Sequence, residues 1–190
     1  MLQGKYAFED ETKEEIYCAI RRRQKKQFKR NKKEYERLSD HIGLIPLVMI
    51  SPADNELITG GSEVRRRFMD MAVSQFDKEY LRALVRYNKA LQQRNVLLKN
   101  EESLIDFTLL DLWEEQMTAG IFIYNKRKEF IEEFTPIFNQ FYARISQSGE
   151  QVSFSYISQL NDAGFPEKLR QNRQRDVYLG HTSVGVHRDE

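Results

Sequence analysis

One stretch of the sequence, Ser62–Lys99, constrains the fold most strongly, because it contains neither proline nor glycine. Its pattern predicts two successive helices with a break near Phe76, and Asp77 is placed to cap the start of the second helix. In the first helix, Phe68, Met71 and Ala72 are expected to face inward. Apolar residues of the second helix recur every three or four positions and predict one buried stripe: Leu81, Leu84, Val85, Leu91 and Leu98. Such a stripe requires a partner surface.

The C-terminal half of the sequence supplies further helices for that surface. Helical spacing predicts one helix over Leu104–Tyr124 and its continuation over Asn125–Ile145, which Pro136 should kink or interrupt because proline lacks an amide donor. Aromatic residues keep helical spacing here: Phe130, Phe134, Phe138, Phe141 and Tyr142. They are typical of a core packed between helices, and the alternative is a base-stacking platform for nucleic acid. Another helix is predicted over Glu167–Leu179, where Gly180 would end it.

Alternating apolar and polar residues predict strands near the N-terminus, around Tyr6 and Phe8 and again from Ile16 to Ile20. A further strand is expected before a turn at Asn31-Lys32-Lys33, so the strands would be antiparallel hairpins. The apolar run Leu44–Ile50 predicts a strand buried on both faces. Residues 52–58 predict a short helix, and Val152, Phe154 and Tyr156 predict one returning strand.

The order of these elements predicts an α+β fold, in which an antiparallel helical bundle projects from a small, partly antiparallel sheet. We expect residues 1–60 to be β-rich and residues 61–147 to form an inserted helical lobe. Residues 148–190 would return to the sheet with a strand, a helix and a loop.

Composition bounds the class of protein. The net charge is +1 and the one cysteine is Cys18, so no internal disulfide can form and a reducing compartment is favoured. No apolar run approaches the roughly 18 residues of a membrane span. The N-terminal residues lack the apolar core of a secretory signal, so we expect a cytoplasmic protein with no membrane partner.

No catalytic or metal-binding constellation can be assigned from the residues. The sequence lacks the GxxxxGK[ST] loop that cradles phosphates, and His41, His181 and His187 do not have the spacing of metal ligands. Gly60-Gly61 is interpreted as a hinge, and the alternative is an anion site at the following helix N-terminus. Three acidic residues are expected to be solvated or paired with neighbouring arginines: Asp176, Asp189 and Glu190.

Two arginine triplets are the candidate contacts to nucleic-acid phosphates: Arg21, Arg22, Arg23, Arg65, Arg66 and Arg67. The alternative is that both triplets are solvated charged faces. Three consecutive arginines cannot share one helix face. Arg66 could instead form an ion pair with Asp70, one turn further along the helix.

Several ordered motifs resemble the RecF family of bacterial recombination mediators. They are the stretch from SPADNELITGG to LQQRNVLLK, followed by LLDLWEEQMTAGIFIYNKRKEFI, VSFSYISQL and RQRDVYLGHTSVGVHRDE. Together they span about Gly43 to Arg188. Val186 departs from the family pattern, which usually has proline between the glycine and the histidine.

The resemblance implies an ABC-type ATPase related to the SMC and Rad50 proteins. Its phosphate-binding loop would lie N-terminal to these residues, and its signature and Walker B motifs would lie C-terminal. The chain therefore looks like a middle segment, with part of the ATPase sheet and an inserted helical lobe. ATP and magnesium are expected in the full-length protein, whereas this segment alone is expected to bind neither and to be inactive.

The resemblance also implies a site and partners. The loop after the apolar run would sense the nucleotide γ-phosphate through Ser51, Pro52 and Asp54. The full protein is expected to form an ATP-dependent homodimer, to bind gapped duplex DNA and single-strand–double-strand junctions, and to cooperate with RecR and RecO in loading recombinase. The alternative function of the segment is a structural lever or protein-docking module without DNA contacts of its own.

Overall fold

The computed structural model describes residues 2–7, 13–24, 26–100, 106–147, 149–160 and 164–190. The described chain is mostly helical with a small four-stranded sheet, and it divides into two compact units between Val48 and Met49. The predicted α+β class is confirmed, although every strand pair of the described sheet is antiparallel rather than only some of them. Phe8, Leu104 and part of the turn expected at 161–166 lie outside the described residues.

The N-terminal unit is an antiparallel meander with the strand order β1-β2-β3-β4. Its strands are β1 Leu2–Ala7, β2 Lys13–Ala19, β3 Gln27–Arg30 and β4 Lys33–Glu34. In the register, Gly4 lies opposite Ile16 and Cys18 lies opposite Phe28. Asn31 and Lys32 both have positive φ, 49° and 70°, as a two-residue hairpin turn requires. The predicted hairpin turn is therefore confirmed.

The buried strand predicted at Leu44–Ile50 is wrong. This segment has no strand pairing, and its last four side chains are 72–87% exposed: Leu47, Val48, Met49 and Ile50. The apolar pattern alone does not make a strand, because the backbone also needs a neighbouring strand to satisfy its hydrogen-bonding groups. None of the described strands pairs with this segment.

The second unit contains seven helices within the described residues. Their bounds are α1 Glu56–Thr59, α2 Ser62–Phe76, α3 Lys78–Leu97, α4 Phe107–Met117, α5 Ala119–Ser146, α6 Phe165–Gln171 and α7 Arg173–Leu179. A 3₁₀ turn at Pro52–Asn55 precedes α1, so the predicted short helix is confirmed. The predicted break and its cap are also confirmed, because the Tyr80 amide donates to Asp77 Oδ1 over 2.8 Å.

Two helix boundaries differ from the prediction. The helix predicted over Leu104–Tyr124 is divided at Thr118, between α4 and α5, and α5 continues through residues 124–125 as expected. Helix α5 runs for 28 residues and continues through Pro136, so the predicted interruption is wrong. Both Pro136 and Glu132 are exposed, so water can solvate the carbonyl of Glu132 that the proline leaves without a donor.

The core lies where α2, α3, α4, α5 and α6 meet, and its buried residues include Val73, Tyr80, Tyr87, Ala90, Met117, Ile123, Phe165 and Leu169. Leu81 and Leu98 of the predicted stripe are buried, but Val85 is 54% exposed. Met71, expected to face inward, is 56% exposed, and Met69 and Val73 are buried instead. The buried face of α3 follows Tyr80, Tyr87 and Ala90.

The C-terminal residues return along the helices. The helix predicted over Glu167–Leu179 is divided at Asn172 into α6 and α7, and Gly180 ends α7 with φ +68°. The strand predicted at residues 152–156 has no ladder among the described residues, and the nearest backbone pairing joins Ile157 to Glu190. No helix of the described chain is both long enough and apolar enough to cross a bilayer.

Candidate functional site

The loop predicted to sense nucleotide is braced by hydrogen bonds. The Ser51 amide donates to Asp54 Oδ2 over 2.6 Å, and the Asp54 amide donates back to the Ser51 carbonyl over 3.0 Å. Arg65 donates to the Gly60 carbonyl over 2.9 Å, where α1 ends. The loop, α1 and the start of α2 therefore form one hydrogen-bonded corner.

The second arginine triplet does not present three free cations. Arg65 is occupied by the carbonyls of Leu57 and Gly60, and Arg66 donates to the main-chain carbonyl of Asp189. Burial and the nearby Arg127 lower the pKa of Arg66, whereas Asp189 acts in the opposite direction. Arg67 is exposed and makes no ion pair among the described residues.

The first triplet lies in the other unit. Arg21, Arg22 and Arg23 are exposed in the turn that follows β2, and the Gln24 amide closes that turn on the Arg21 carbonyl over 3.1 Å. Arg23 has a φ of +62°. These guanidinium groups are accessible to a phosphate backbone, whereas in the other triplet only Arg67 is both exposed and uncommitted.

A buried guanidinium on α5, that of Arg127, joins three helices to the C-terminal residues. It makes a two-pronged contact with Asp70 of α2, 2.9 and 3.1 Å, and lies 3.2 Å from the Tyr80 hydroxyl of α3. Its Nη1 donates to the Val186 carbonyl over 2.8 Å and to Asp189 Oδ2 over 3.3 Å. The expected Arg66–Asp70 pair is therefore wrong, because Asp70 is committed to Arg127.

Burial sets the electrostatics of this cluster. Burial alone would lower the pKa of Arg127, but the Asp70 carboxylate raises that pKa above its ordinary value. Burial raises the pKa of Asp189, although the Tyr156 hydroxyl and Arg127 both act in the opposite direction. Burial also raises the pKa of Tyr80 and of Tyr156, so both phenols stay protonated and donate. The cluster holds its charges in fixed pairs.

A second buried arginine, Arg94 of α3, is fully enclosed. It donates to Glu114 Oε1 of α4 over 2.9 and 3.1 Å, to Asp176 Oδ2 of α7 over 2.8 Å and to the Thr182 hydroxyl over 2.8 Å. Arg173 binds the same Glu114 carboxylate from the outside, over 2.6 Å. Asp176 and Asp189 are buried and paired with distant arginines, so their predicted solvation or pairing with sequence neighbours is wrong.

Residues 180–190, which we call the C-terminal hook, are locked by these arginines and by one histidine. His187 Nε2 lies 3.1 Å from the Thr182 carbonyl and its Nδ1 lies 2.8 Å from the Tyr87 hydroxyl. A carbonyl can only accept, so Nε2 carries the proton and Nδ1 accepts from Tyr87. Burial lowers the pKa of His187 to about 4, which keeps the ring neutral. Arg127 fixes the Val186 carbonyl within the hook.

Sequence reasoning did not identify Arg94 or Arg127 as buried. The signal was present in the helical register, because Tyr80, Tyr87 and Arg94 recur every seven residues on the buried face of α3. Arg127 likewise follows Ile123 by one turn of α5. A charged residue in register with a buried stripe predicts an enclosed ion pair.

An apolar groove of about 600 Å³ opens beside the hook, between α1, α2, α5 and residues 152–156. Its floor includes Leu57, Met69, Phe130, Phe134, Phe138 and Phe154. The Phe134 and Phe138 rings contact Phe154, with centroids 5.4 and 5.0 Å apart. The rings of this groove pack against one another, but Phe130, Phe134 and Phe138 are only half-buried and Phe141 is 56% exposed, so the predicted core between helices is confirmed only in part.

The fold and the clamped hook define a class of protein. Two solved structures of the recombination mediator protein RecF in the RecFOR pathway, one designated RecF-ATPrS and the other RecF-ATP, superpose on 99% of the chain. The TM-scores are 0.88 and 0.89, with 26% and 25% identity, and the match covers 53% of each solved chain. The described fold is therefore that of a RecF segment.

The sequence comparison agrees. The chain is 59% identical over 191 residues to the DNA replication and repair protein RecF of Bacteroides thetaiotaomicron, 56% to that of Phocaeicola vulgatus and 52% to that of Porphyromonas gingivalis. Each match covers the whole chain but only 51–52% of the relative, so the chain spans about half the length of these RecF proteins. No family model matches. The resemblance to RecF is confirmed, for a segment.

Proposed function

We propose that this chain forms the helical lobe and part of the sheet of a RecF-type DNA repair protein. The proposed full protein binds ATP and DNA, recognises gapped duplexes and single-strand–double-strand junctions, and helps load recombinase together with RecR and RecO. The match over the whole chain to RecF, in sequence and in fold, carries this proposal.

ATP and magnesium would be held elsewhere in the full protein. The residues present do not fit a nucleotide, because Gly60-Gly61 is followed by no lysine at the spacing that phosphate binding requires. Arg65, the nearest cation with a fixed position, is committed to main-chain carbonyls. ATP hydrolysis and ATP-dependent dimerisation are thus assigned to the full protein, and no ATPase activity is expected of this segment.

We infer that Ser51, Pro52 and Asp54 transmit nucleotide state to the helical lobe. The support is a continuous set of contacts: Asp54 closes the loop on Ser51, Arg65 ties the following turn to α2, and Arg66 on the same helix reaches the hook. A displacement of the loop would therefore move α2 and the hook together.

The proposed DNA contacts come from the two arginine triplets, which differ in how many of their side chains are available. The exposed Arg21, Arg22 and Arg23 are available for phosphates, and Arg67 is the available member of the second triplet. Arg65 and Arg66 hold the fold, so their loss would weaken DNA binding indirectly. The full triple substitution Arg65–Arg67 would not separate DNA contact from folding.

The test is fluorescence anisotropy of the 190-residue protein with a gapped duplex, across a series of salt concentrations. We expect weak, salt-sensitive binding that Arg67→Ala reduces together with the salt dependence, by about one unit of log–log slope. The matched control is Lys89→Ala, which removes an exposed cation from α3. Binding that is insensitive to salt and unchanged both in Arg67→Ala and after alanine substitution of Arg21–Arg23 would rule out these contacts.

A second candidate function is a structural lever or docking module without DNA contacts. The observation that favours it is the enclosure of Arg94 and Arg127, which join the hook to five helices: α2, α3, α4, α5 and α7. This function predicts no shift in the mass of the protein when a duplex is added, measured by size-exclusion chromatography with light scattering.

A further inference from the structure

The hairpin formed by β2 and β3 carries a dense positive charge. Residues 20–33 contain nine lysines and arginines and no acidic residue, in a chain whose net charge is only +1. Arg21, Arg22 and Arg23 are exposed in the turn before β3, and Lys32 is exposed in the turn after it. A surface charge of one sign over this length is complementary to a polyanion.

The two faces of the sheet differ. Phe28 of β3 contacts the rings of Tyr35 and His41, with centroids 6.3 and 4.9 Å apart, so the segment after β4 covers that face. Cys18 lies opposite Phe28 in the register and shares the covered face. Tyr17 precedes Cys18 and therefore belongs to the other face, because side chains alternate along a strand. We call this other face the Tyr17 face.

Tyr17 lies in the central row of the Tyr17 face. It is opposite Gln3 in β1 and opposite Lys29 in β3, and the Lys29 ammonium lies 5.9 Å from the centre of the Tyr17 ring. Tyr17 is half-buried, whereas Gln3 beside it is exposed. The acidic residues of the face, Glu15 and Glu34, each lie opposite a lysine in the register, so no excess negative charge surrounds the ring.

An aromatic ring among cations is the arrangement that binds single-stranded nucleic acid, because cations follow the phosphates and an unpaired base stacks on the ring. Bases inside a duplex are already stacked on their neighbours, so only an unpaired nucleotide can use Tyr17. A stacked base is held more strongly than an exposed ammonium, so it can displace Lys29 from the ring. The displaced lysine is then free to bind a phosphate of the same strand.

We propose that the Tyr17 face binds an unpaired nucleotide of a gapped duplex, with the base stacked on Tyr17 and the adjoining phosphates on Lys29 and the Arg21–Arg23 turn. This inference rests on the proposed DNA-binding function and adds a contact that distinguishes single-stranded from double-stranded DNA. The arginines bind phosphates of either kind of DNA, whereas Tyr17 binds only the unpaired part.

The test compares binding of the 190-residue protein to a gapped duplex and to the same duplex without the gap, by fluorescence anisotropy. Tyr17→Leu should weaken binding to the gapped duplex about tenfold, the loss expected for one stacked base, and should leave binding to the intact duplex unchanged. Tyr17→Phe keeps the ring and should bind as the wild type does. The matched control is Tyr6→Leu, which removes a 43% exposed tyrosine from the covered face of the same sheet and should change neither affinity.

A second measurement follows the stacking itself. A fluorescent adenine analogue placed in the gap should be quenched by the wild type and by Tyr17→Phe, but not by Tyr17→Leu. Unchanged binding of the intact duplex by Tyr17→Leu also shows that the hairpin is folded, because the Arg21–Arg23 turn belongs to it.

Three results would overturn the proposal: an equal loss of affinity for both DNAs, no loss in Tyr17→Leu, or the same loss in Tyr17→Phe. If the wild type binds the gapped duplex and Tyr17→Leu binds it equally well, the inference fails while the proposed DNA-binding function stands. Binding of neither DNA by the wild type would overturn both.

Discussion

Arg127 Nη1 and Asp189 Oδ2 lie 3.3 Å apart, although 62 residues separate them in the sequence. Both side chains are almost completely enclosed, and the same guanidinium holds Asp70 of α2. The hook is therefore attached to the interior of the helical unit and not to its surface. Whatever moves the hook must also move α5 and α2.

Replacing Arg127 with methionine should be strongly destabilising. The substitution keeps an unbranched apolar stem but leaves the buried carboxylate of Asp189 and the partly buried carboxylate of Asp70 without their cation, which costs about 3–5 kcal/mol in the free energy of unfolding. Urea denaturation measures the loss. The control Lys128→Met changes an exposed neighbour on the same helix and should alter stability by less than about 0.5 kcal/mol. A loss below about 1 kcal/mol for Arg127→Met would contradict the assigned role.

Replacing Arg94 with lysine tests the geometry of the second cluster while keeping its charge. One ammonium cannot reach Glu114, Asp176 and the Thr182 hydroxyl in the fixed planar arrangement of a guanidinium. We expect the free energy of unfolding to fall by about 2 kcal/mol, which is the contribution of one or two hydrogen bonds to charged groups. Arg86→Lys, on the exposed face of α3, is the control and should be neutral in the same denaturation assay. Equal stability of the two variants would show that charge alone suffices.

The features that the sequence predicted correctly are local. The Asp77 cap and the Asn31-Lys32 turn depend on residues within four positions of each other, so their chemistry can be inferred from neighbours. Arg94 forms an ion pair with Asp176, which lies 82 residues further along the sequence, and no local pattern can identify so distant a partner. The predicted strand at Leu44–Ile50 failed for a related reason, since apolar character indicates burial but only a second strand can provide the pairing.

The hook also depends on a glycine. Gly185 has a φ of +138°, and a Cβ at this position would lie 2.2 Å from the Tyr87 hydroxyl oxygen. Gly185→Ala should therefore lower the free energy of unfolding by about 2 kcal/mol or more, because of backbone strain and this clash. In a Tyr87→Phe background the clash is removed, so the two losses should be less than additive in a double-mutant cycle. Gly149→Ala, where nothing lies within 4 Å of the added Cβ, is the control. Strict additivity would place the cost in the backbone alone.

The buried His187 should make stability depend on pH in the mildly acidic range. Its pKa falls from 6.5 to about 4 on folding, chiefly because burial disfavours the charged ring. Protons bind the unfolded state first as pH drops, so the stabilisation is complete above about pH 6.5 and is lost progressively towards pH 4. Between pH 7 and pH 5 the loss should be about 2 kcal/mol, from 1.36 kcal/mol for each pKa unit.

The measurement is urea denaturation at both pH values for the wild type and for His187→Gln, which cannot titrate. Asp189 acts in the opposite sense, because its raised pKa lets the folded state take up a proton more readily as pH falls. Both proteins carry Asp189, so the difference between their pH dependences isolates the histidine. Between pH 7 and pH 5, the free energy of unfolding of the glutamine variant should therefore fall by about 2 kcal/mol less than that of the wild type. Parallel pH profiles would show that His187 is not held neutral by its burial against Tyr87.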